Sequence, residues 1–226
     1  MMALLEVRTV SDRVFEALRE KILRGEIAAD SPVRQDTLAG ELGVSKIPVR
    51  EALTRLEAQG LVTSFPHRGF VVRPLTREEA DDVFDLRLKL EPDATALGAE
   101  RATESDRAAV REAFAALDKA LRTRAGDTGR RNREFHLSLA RPCGRNVAIE
   151  TIERLLTLAE RYVSVHLKAT GRPNRARREH EEMLEAWLAR RTQAVRKMTK
   201  DHVTATLRDL KAQLNGPMRG RAKRSP

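Results

Sequence analysis

Apolar positions along the chain fall into two textures. Over residues 11–25, SDRVFEALREKILRG, Val14, Leu18 and Ile22 recur at helical spacing, with Ser11 placed to cap the helix and Gly25 to end it. After a polar connection, DTLAGELG predicts a short helix with Asp36 as its cap and Gly43 as its stop. GVSKIPVREALTRLEAQGLV, residues 43–62, predicts a further helix after a turn through Gly43, Val44 and Ser45. Ser45 suits the N-cap, so Pro48 stands at the third helical position, where its missing N–H has no intrahelical partner to lose. Val49, Ala52, Leu53 and Leu56 form the buried stripe of that helix, and Lys46, Ile47 and Arg50 its exposed leading edge. LVTSF and GFVVR then read as two short strands joined by PHR.

From residue 75 the texture changes to long helices with few breakers. The periodicity predicts helices over 77–102, 105–124, 127–140, 146–169, 174–190 and 192–213, interrupted at GDTG, RPCGR and TGRPN. The expected fold is therefore mainly α. An N-terminal unit, residues 1–74, holds three helices and a β-hairpin, and residues 75–214 form an all-α bundle of six helices. Residues 215–226 are a basic tail predicted to be disordered.

Composition supports a helical protein with enough aliphatic side chains for a core: 41% of the 226 residues are hydrophobic and only 4% aromatic. The net charge of +10 suggests a polyanionic partner, but its distribution weakens that inference. Residues 1–75 carry a net +1, and the last 16 residues hold five basic and no acidic side chains, half of the surplus. Local placement must carry the argument instead. A single cysteine, Cys143, excludes an internal disulfide, and no apolar run approaches the roughly 20 residues of a membrane span, so a cytoplasmic protein with no membrane partner is expected.

A short helix, a tight turn and a second helix with a polar, basic leading end make a helix-turn-helix, whose second helix enters the major groove of double-stranded DNA. Arg50 can chelate guanine or grip phosphate, Lys46 offers a mobile point charge, and Ile47 can touch a thymine methyl. The hairpin would be the wing, with Gly69 permitting close backbone approach and Arg68 reaching phosphates. The alternative is an ordinary amphipathic helix whose basic face meets solvent. Residues 11–73 resemble the winged-helix domain of the GntR family of bacterial transcription regulators, the likeness running from GVSKIPVREALTRLEAQGLV through PHRGFVV. The resemblance implies DNA contacts from Ser45, Lys46, Ile47, Pro48, Arg50, Arg68 and Gly69. Lys46 and Ile47 replace the family's usual Arg and Thr, and Asp36 a common basic residue, which should change base preference.

NREFH places Asn132 and His136 one turn apart on a helix face, and His180 and His202 lie on the last two helices. Three imidazoles on separate helices can ligate a divalent metal or be incidental. Residues 76–210 are similar to the FCD effector-binding domain of the FadR subfamily, and six helices suit its VanR-like branch. That resemblance implies a divalent metal, zinc first with nickel or manganese as alternatives, held by Asn132, His136, His180 and His202. Asn132 stands where relatives carry Asp, and its neutral amide oxygen is a poorer donor than a carboxylate. It also implies a small carboxylate metabolite as effector, with Arg87 as its clamp; from the residues alone, Arg87 can equally pair with Glu91 one turn on. Tyr162 and His166, one turn apart, can face the same pocket or belong to core and surface.

The expected function is a metabolite-responsive transcription regulator, a repressor binding a near-palindromic operator as a homodimer. Two alternatives remain at this level: a metal-free regulator with an acyl ligand, and a metal-dependent hydrolase using Glu134, Glu181 or Glu182. No nucleophile triad, phosphate-cradling loop or HExxH pattern supports catalysis, so no enzyme is expected.

Overall fold

The computed structural model describes residues 8–166 and 172–214, with side chains described up to Val163 and again from Arg172. The predicted basic tail and the His166 side chain lie outside the described residues. Residues 1–74 and 75–226 form two compact units.

The first unit runs α1 (Val10–Leu23), β1 (Pro32–Val33), α2 (Gln35–Leu42), α3 (Lys46–Ala58), β2 (Val62–Phe65) and β3 (Gly69–Val72). The cap of α1 is Thr9, not Ser11. The Thr9 hydroxyl accepts from the Asp12 N–H while the Asp12 carboxylate accepts from the Thr9 N–H. This reciprocal box needs an acid three residues after the cap; Ser11 has Val14 there. Asp36 does not cap α2 either: Arg34 holds that position, without a side-chain bond, and Asp36 lies inside the first turn. Gly43 ends α2 as expected, in the left-handed conformation at φ +64°, and the Val44 N–H reaches back to the Ala39 carbonyl.

The predicted hairpin is part of a three-stranded antiparallel sheet, ordered β1-β3-β2, with Val33 opposite Phe70 and Ser64 opposite Phe70 from the other side. Two residues are too few to show a strand period, so β1 was invisible in the sequence, and its Pro32 is tolerated because β1 is an edge. Val14, Leu18 and Ile22 of α1 pack with Val49, Ala52, Leu53 and Leu56 of α3 into a core closed by Leu61 and Val72.

The second unit contains α4 (Arg77–Arg101), α5 (Glu104–Thr123), α6 (Thr128–Ala140), a 3-10 turn at Arg141–Cys143, α7 (Asn146–His166), α8 (Arg172–Leu188) and α9 (Thr192–Leu214). These six α-helices follow the predicted order closely. The apolar stripes of α4, α7 and α9 meet through Phe84, Ala159, Tyr162 and Val203. Those of α5, α6 and α8 meet through Leu117, Phe135, Met183 and Trp187. Tyr162 is thereby a structural residue. Its hydroxyl donates toward Glu79 (2.7 Å) and accepts from the Thr76 N–H (3.2 Å), tying α7 to the start of α4. Burial raises its pKa above the ordinary phenol value.

Helix α4 crosses the end of α6 at Gly98, where a Cβ would stand 2.2 Å from the Leu139 carbonyl oxygen. The same oxygen accepts from the Trp187 indole N–H at 3.1 Å, so this C-terminal carbonyl of α6 is satisfied from α8. Gly98→Ala must push two backbones apart. We expect it to lower the stability of the helical unit by about 1–3 kcal/mol, measured by denaturant unfolding; an unchanged midpoint would contradict the close crossing.

Candidate nucleic-acid interface and metal centre

Turn and helix together expose the leading end of α3. Ser45 occupies the N-cap position with extended backbone, but its hydroxyl makes no cap bond. Lys46 and Arg50 are exposed, Ile47 is 69% exposed, and Pro48 is half-buried at the third helical position. Val49, Ala52, Leu53 and Leu56 point the other way into the core. Beside α3, the wing turns through Pro66, His67 and Arg68; His67 and Gly69 both adopt positive φ, +62° and +70°. Arg68 is exposed at that tip. Among the described residues, neither Arg50 nor Arg68 has an ion-pair partner. A cleft of about 440 Å³ between α3 and the wing is lined by Arg50, Thr54, Ser64 and His67, and Glu57 accepts from the Ser64 N–H (2.6 Å) across its floor. Cationic and hydroxyl groups presented together are what a phosphate backbone and base edges require.

In the helical unit, α6, α8 and α9 bring His136, His180 and His202 together. The Nε2 atom of His180 lies 3.3 Å from Nε2 of His136 and 3.2 Å from Nε2 of His202. All three side chains are buried. The opposite ring nitrogens are tied down: His136 Nδ1 faces a Glu91 oxygen at 3.5 Å, and His202 Nδ1 a Glu179 oxygen at 2.7 Å. A carboxylate at Nδ1 holds the N–H there and leaves the Nε2 lone pair directed at the neighbouring rings. The Nδ1 of His180 has no hydrogen-bond partner.

Burial, with neighbouring positive charge, keeps His136 and His180 neutral. Desolvation lowers the His136 pKa to about 4 even against the pull of Glu91. The His180 pKa lies well below its ordinary value, through desolvation and then the charges of His202, His136 and Arg87. For Glu91, burial acts to raise the pKa, but Arg87 and the His136 hydrogen bond outweigh it and hold the carboxyl at about 2. Converging imidazole nitrogens, those of His136 and His180 neutral, are ready ligands. The donor set therefore fits a divalent cation of the borderline type that prefers nitrogen.

Asn132 is buried one turn before His136 on the same helix. Arg87 is buried and engages Glu91 through both Nε and a terminal nitrogen, its guanidinium 4.8 Å above the Phe84 ring. Thus Glu91 serves both Arg87 and His136. The carboxylates considered for catalysis sit elsewhere: Glu134 pairs with Arg130 and Arg131, Glu181 faces Arg177, and Glu182 is exposed. The supporting carboxylates, Glu91 and Glu179, were not legible as such. Glu91 shows in the sequence only as a helical neighbour of Arg87, and Glu179 serves a histidine on another helix. Cys143 is buried without a partner thiol.

The FCD domain family matches residues 82–205, over half of the chain, and the family of bacterial regulatory proteins called gntR matches residues 10–72. The chain belongs to the GntR family and carries an FCD domain. It is thus a DNA-binding transcription regulator. It is similar to the Nta operon transcriptional regulator of Aminobacter aminovorans, with 32% identity over 129 residues, which is 57% of this chain and 60% of that protein. The matched stretch therefore spans less than two thirds of that relative. Similarity to the HTH-type transcriptional repressor GlaR of Escherichia coli covers more, 29% identity over 158 residues, 68% of this chain and 72% of the relative. Among solved structures, E. coli McbR/YncC superposes with a TM-score of 0.77 at 25% identity, covering 92% of this regulator and 99% of that chain.

If Glu179 orients His202, Glu179→Gln should weaken binding of zinc by about 10–100-fold, read by competition with a chelating dye. His180→Ala should abolish it. Equal zinc affinity in Glu179→Gln and the parent would remove Glu179 from the site.

Proposed function

We propose that this regulator is a metabolite-responsive repressor, acting as a homodimer on a near-palindromic operator, with the FCD unit as sensor. The observation that carries the sensor reading is the convergence of three buried imidazoles, with Nε2 of His180 3.3 Å from that of His136 and 3.2 Å from that of His202. In this reading His136, His180 and His202, with Asn132, hold a divalent ion, zinc before nickel or manganese. When bound, the ion supplies a Lewis-acid site for a small carboxylate metabolite. Arg87 contributes positive charge beside the trio, and an effector carboxylate would share its guanidinium with Glu91. Effector binding works by favouring one arrangement of the DNA-binding units over another, through differential affinity.

For the DNA side, the proposal assigns base contacts to Lys46, Ile47 and Arg50. Ser45 and Pro48 set the helix entry, and Arg68 with Gly69 brings the wing onto the sugar-phosphate backbone. Among the described residues no helix is long and apolar enough to cross a membrane, which accords with action in the cytoplasm. Names of relatives that include the word repressor support the sign of regulation. Glu134 and Glu181 pair with arginines, Glu182 is exposed, and the two carboxylates at the trio, Glu91 and Glu179, are engaged by His136 and His202. This favours a sensor over a hydrolase, and incubation of the zinc-loaded chain with esters, amides and phosphate esters should give no turnover.

Two measurements test the reading. Arg50→Ala should weaken binding to operator DNA selected from a randomised pool by about 1–3 kcal/mol if Arg50 reads a base; undiminished affinity would remove it from the interface. A thermal-shift screen of small carboxylic acids should yield stabilisation that disappears on adding a chelator. Stabilisation that survives chelation would instead support the metal-free acyl binder.

A further inference from the structure

At the mouth of the helix-turn-helix, the Lys46 ammonium is ion-paired with the Asp36 carboxylate of the preceding helix, and both side chains are largely exposed. Lys46 is the first residue of α3, and the first turn of α3 contains no acidic residue of its own. A cation there is opposed by the positive end of the helix dipole. Asp36 supplies the missing negative charge from α2, where its own position in the first turn is favourable. Ile47, next along, is 69% exposed and offers one apolar contact beside the pair.

We propose that Asp36 is a specificity-determining residue of DNA recognition, which converts Lys46 from a phosphate contact into an oriented base contact. This rests on the assignment of α3 as the groove-entering helix. A lone lysine ammonium is a mobile point charge drawn to the nearest phosphate whatever the sequence. A lysine tethered to a carboxylate adds no net charge to the interface, so it contributes little to sequence-independent attraction. It keeps N–H donors for guanine O6 or N7, while the carboxylate accepts from a cytosine amino group and opposes phosphate. The pair thereby lowers non-specific binding and raises the ratio on which target selection depends.

The test uses the full chain and duplex DNA. Binding to a mixed-sequence duplex is measured against salt concentration, and preferred sites are selected from a randomised duplex pool. Asp36→Asn frees Lys46. It should raise mixed-sequence affinity by about three- to tenfold and steepen the salt dependence by about one unit of slope. It should also blur the preference at one or two adjacent positions of the selected site. Asp36→Glu, which keeps the charge, should retain the parental slope, and Asp36→Asn combined with Lys46→Met should return to it. If the parent selects a site and Asp36→Asn leaves slope, affinity and selected positions unchanged, the proposal is wrong while the interface stands. If the parent enriches no site and Arg50→Ala alters no affinity, the interface assignment fails and the proposal with it.

Discussion

The helical unit depends on a backbone contact that only glycine permits. At Gly98, α4 comes against the Leu139 carbonyl with no room for a Cβ. Two turns earlier on α4 stands Glu91, and one turn earlier on α6 stands His136. A close crossing is what lets a carboxylate on one helix reach an imidazole on the other at 3.5 Å. The Trp187 indole, hydrogen-bonded to the same carbonyl, brings in α8, on which His180 lies two turns before. A wider crossing would leave Glu91 short of His136 and leave a buried charge with one partner fewer, an expensive arrangement.

Burial of several ionisable groups is tolerated because each charge is matched. Arg87 and Glu91 cancel one another, and Arg175 faces Glu179, whose other oxygen serves His202. His136 and His180 carry no charge at neutral pH because burial lowers their pKa. What remains is a set of lone pairs in a dry surrounding. Such a set would suit a cation, because neutral imidazoles need not be deprotonated first.

The DNA-binding unit shows the opposite economy. Its core is apolar, and the groups proposed to meet DNA are attached to the outer edge of α3 and the tip of the wing. Positive φ at His67 and Gly69 turns the chain sharply enough for the wing to present Arg68 at its apex. The helix is held rigidly by Val49, Ala52, Leu53 and Leu56, so Lys46, Ile47 and Arg50 are positioned by the core behind them rather than by their own contacts.

Much of this was determined by local sequence. Periodicity alone specified the six long helices of the FCD unit, because their stripes are continuous and three of the five breaks contain Gly or Pro. The exposed edge of α3 followed from the same count of 3.6 residues per turn. Tertiary structure decided the rest. The strand at Pro32 exists only because β3 pairs with it, and Thr9 displaced Ser11 as a cap because Asp12 lies within its reach. Asp36 became an ion-pair partner rather than a cap because the turn at Gly43 folds α2 back beside Lys46. That Glu91 and Glu179 support histidines on other helices could not be read from spacing. Sequence separation says nothing of which helix faces meet, and a side chain's chemistry is set by what the packed neighbour presents to it.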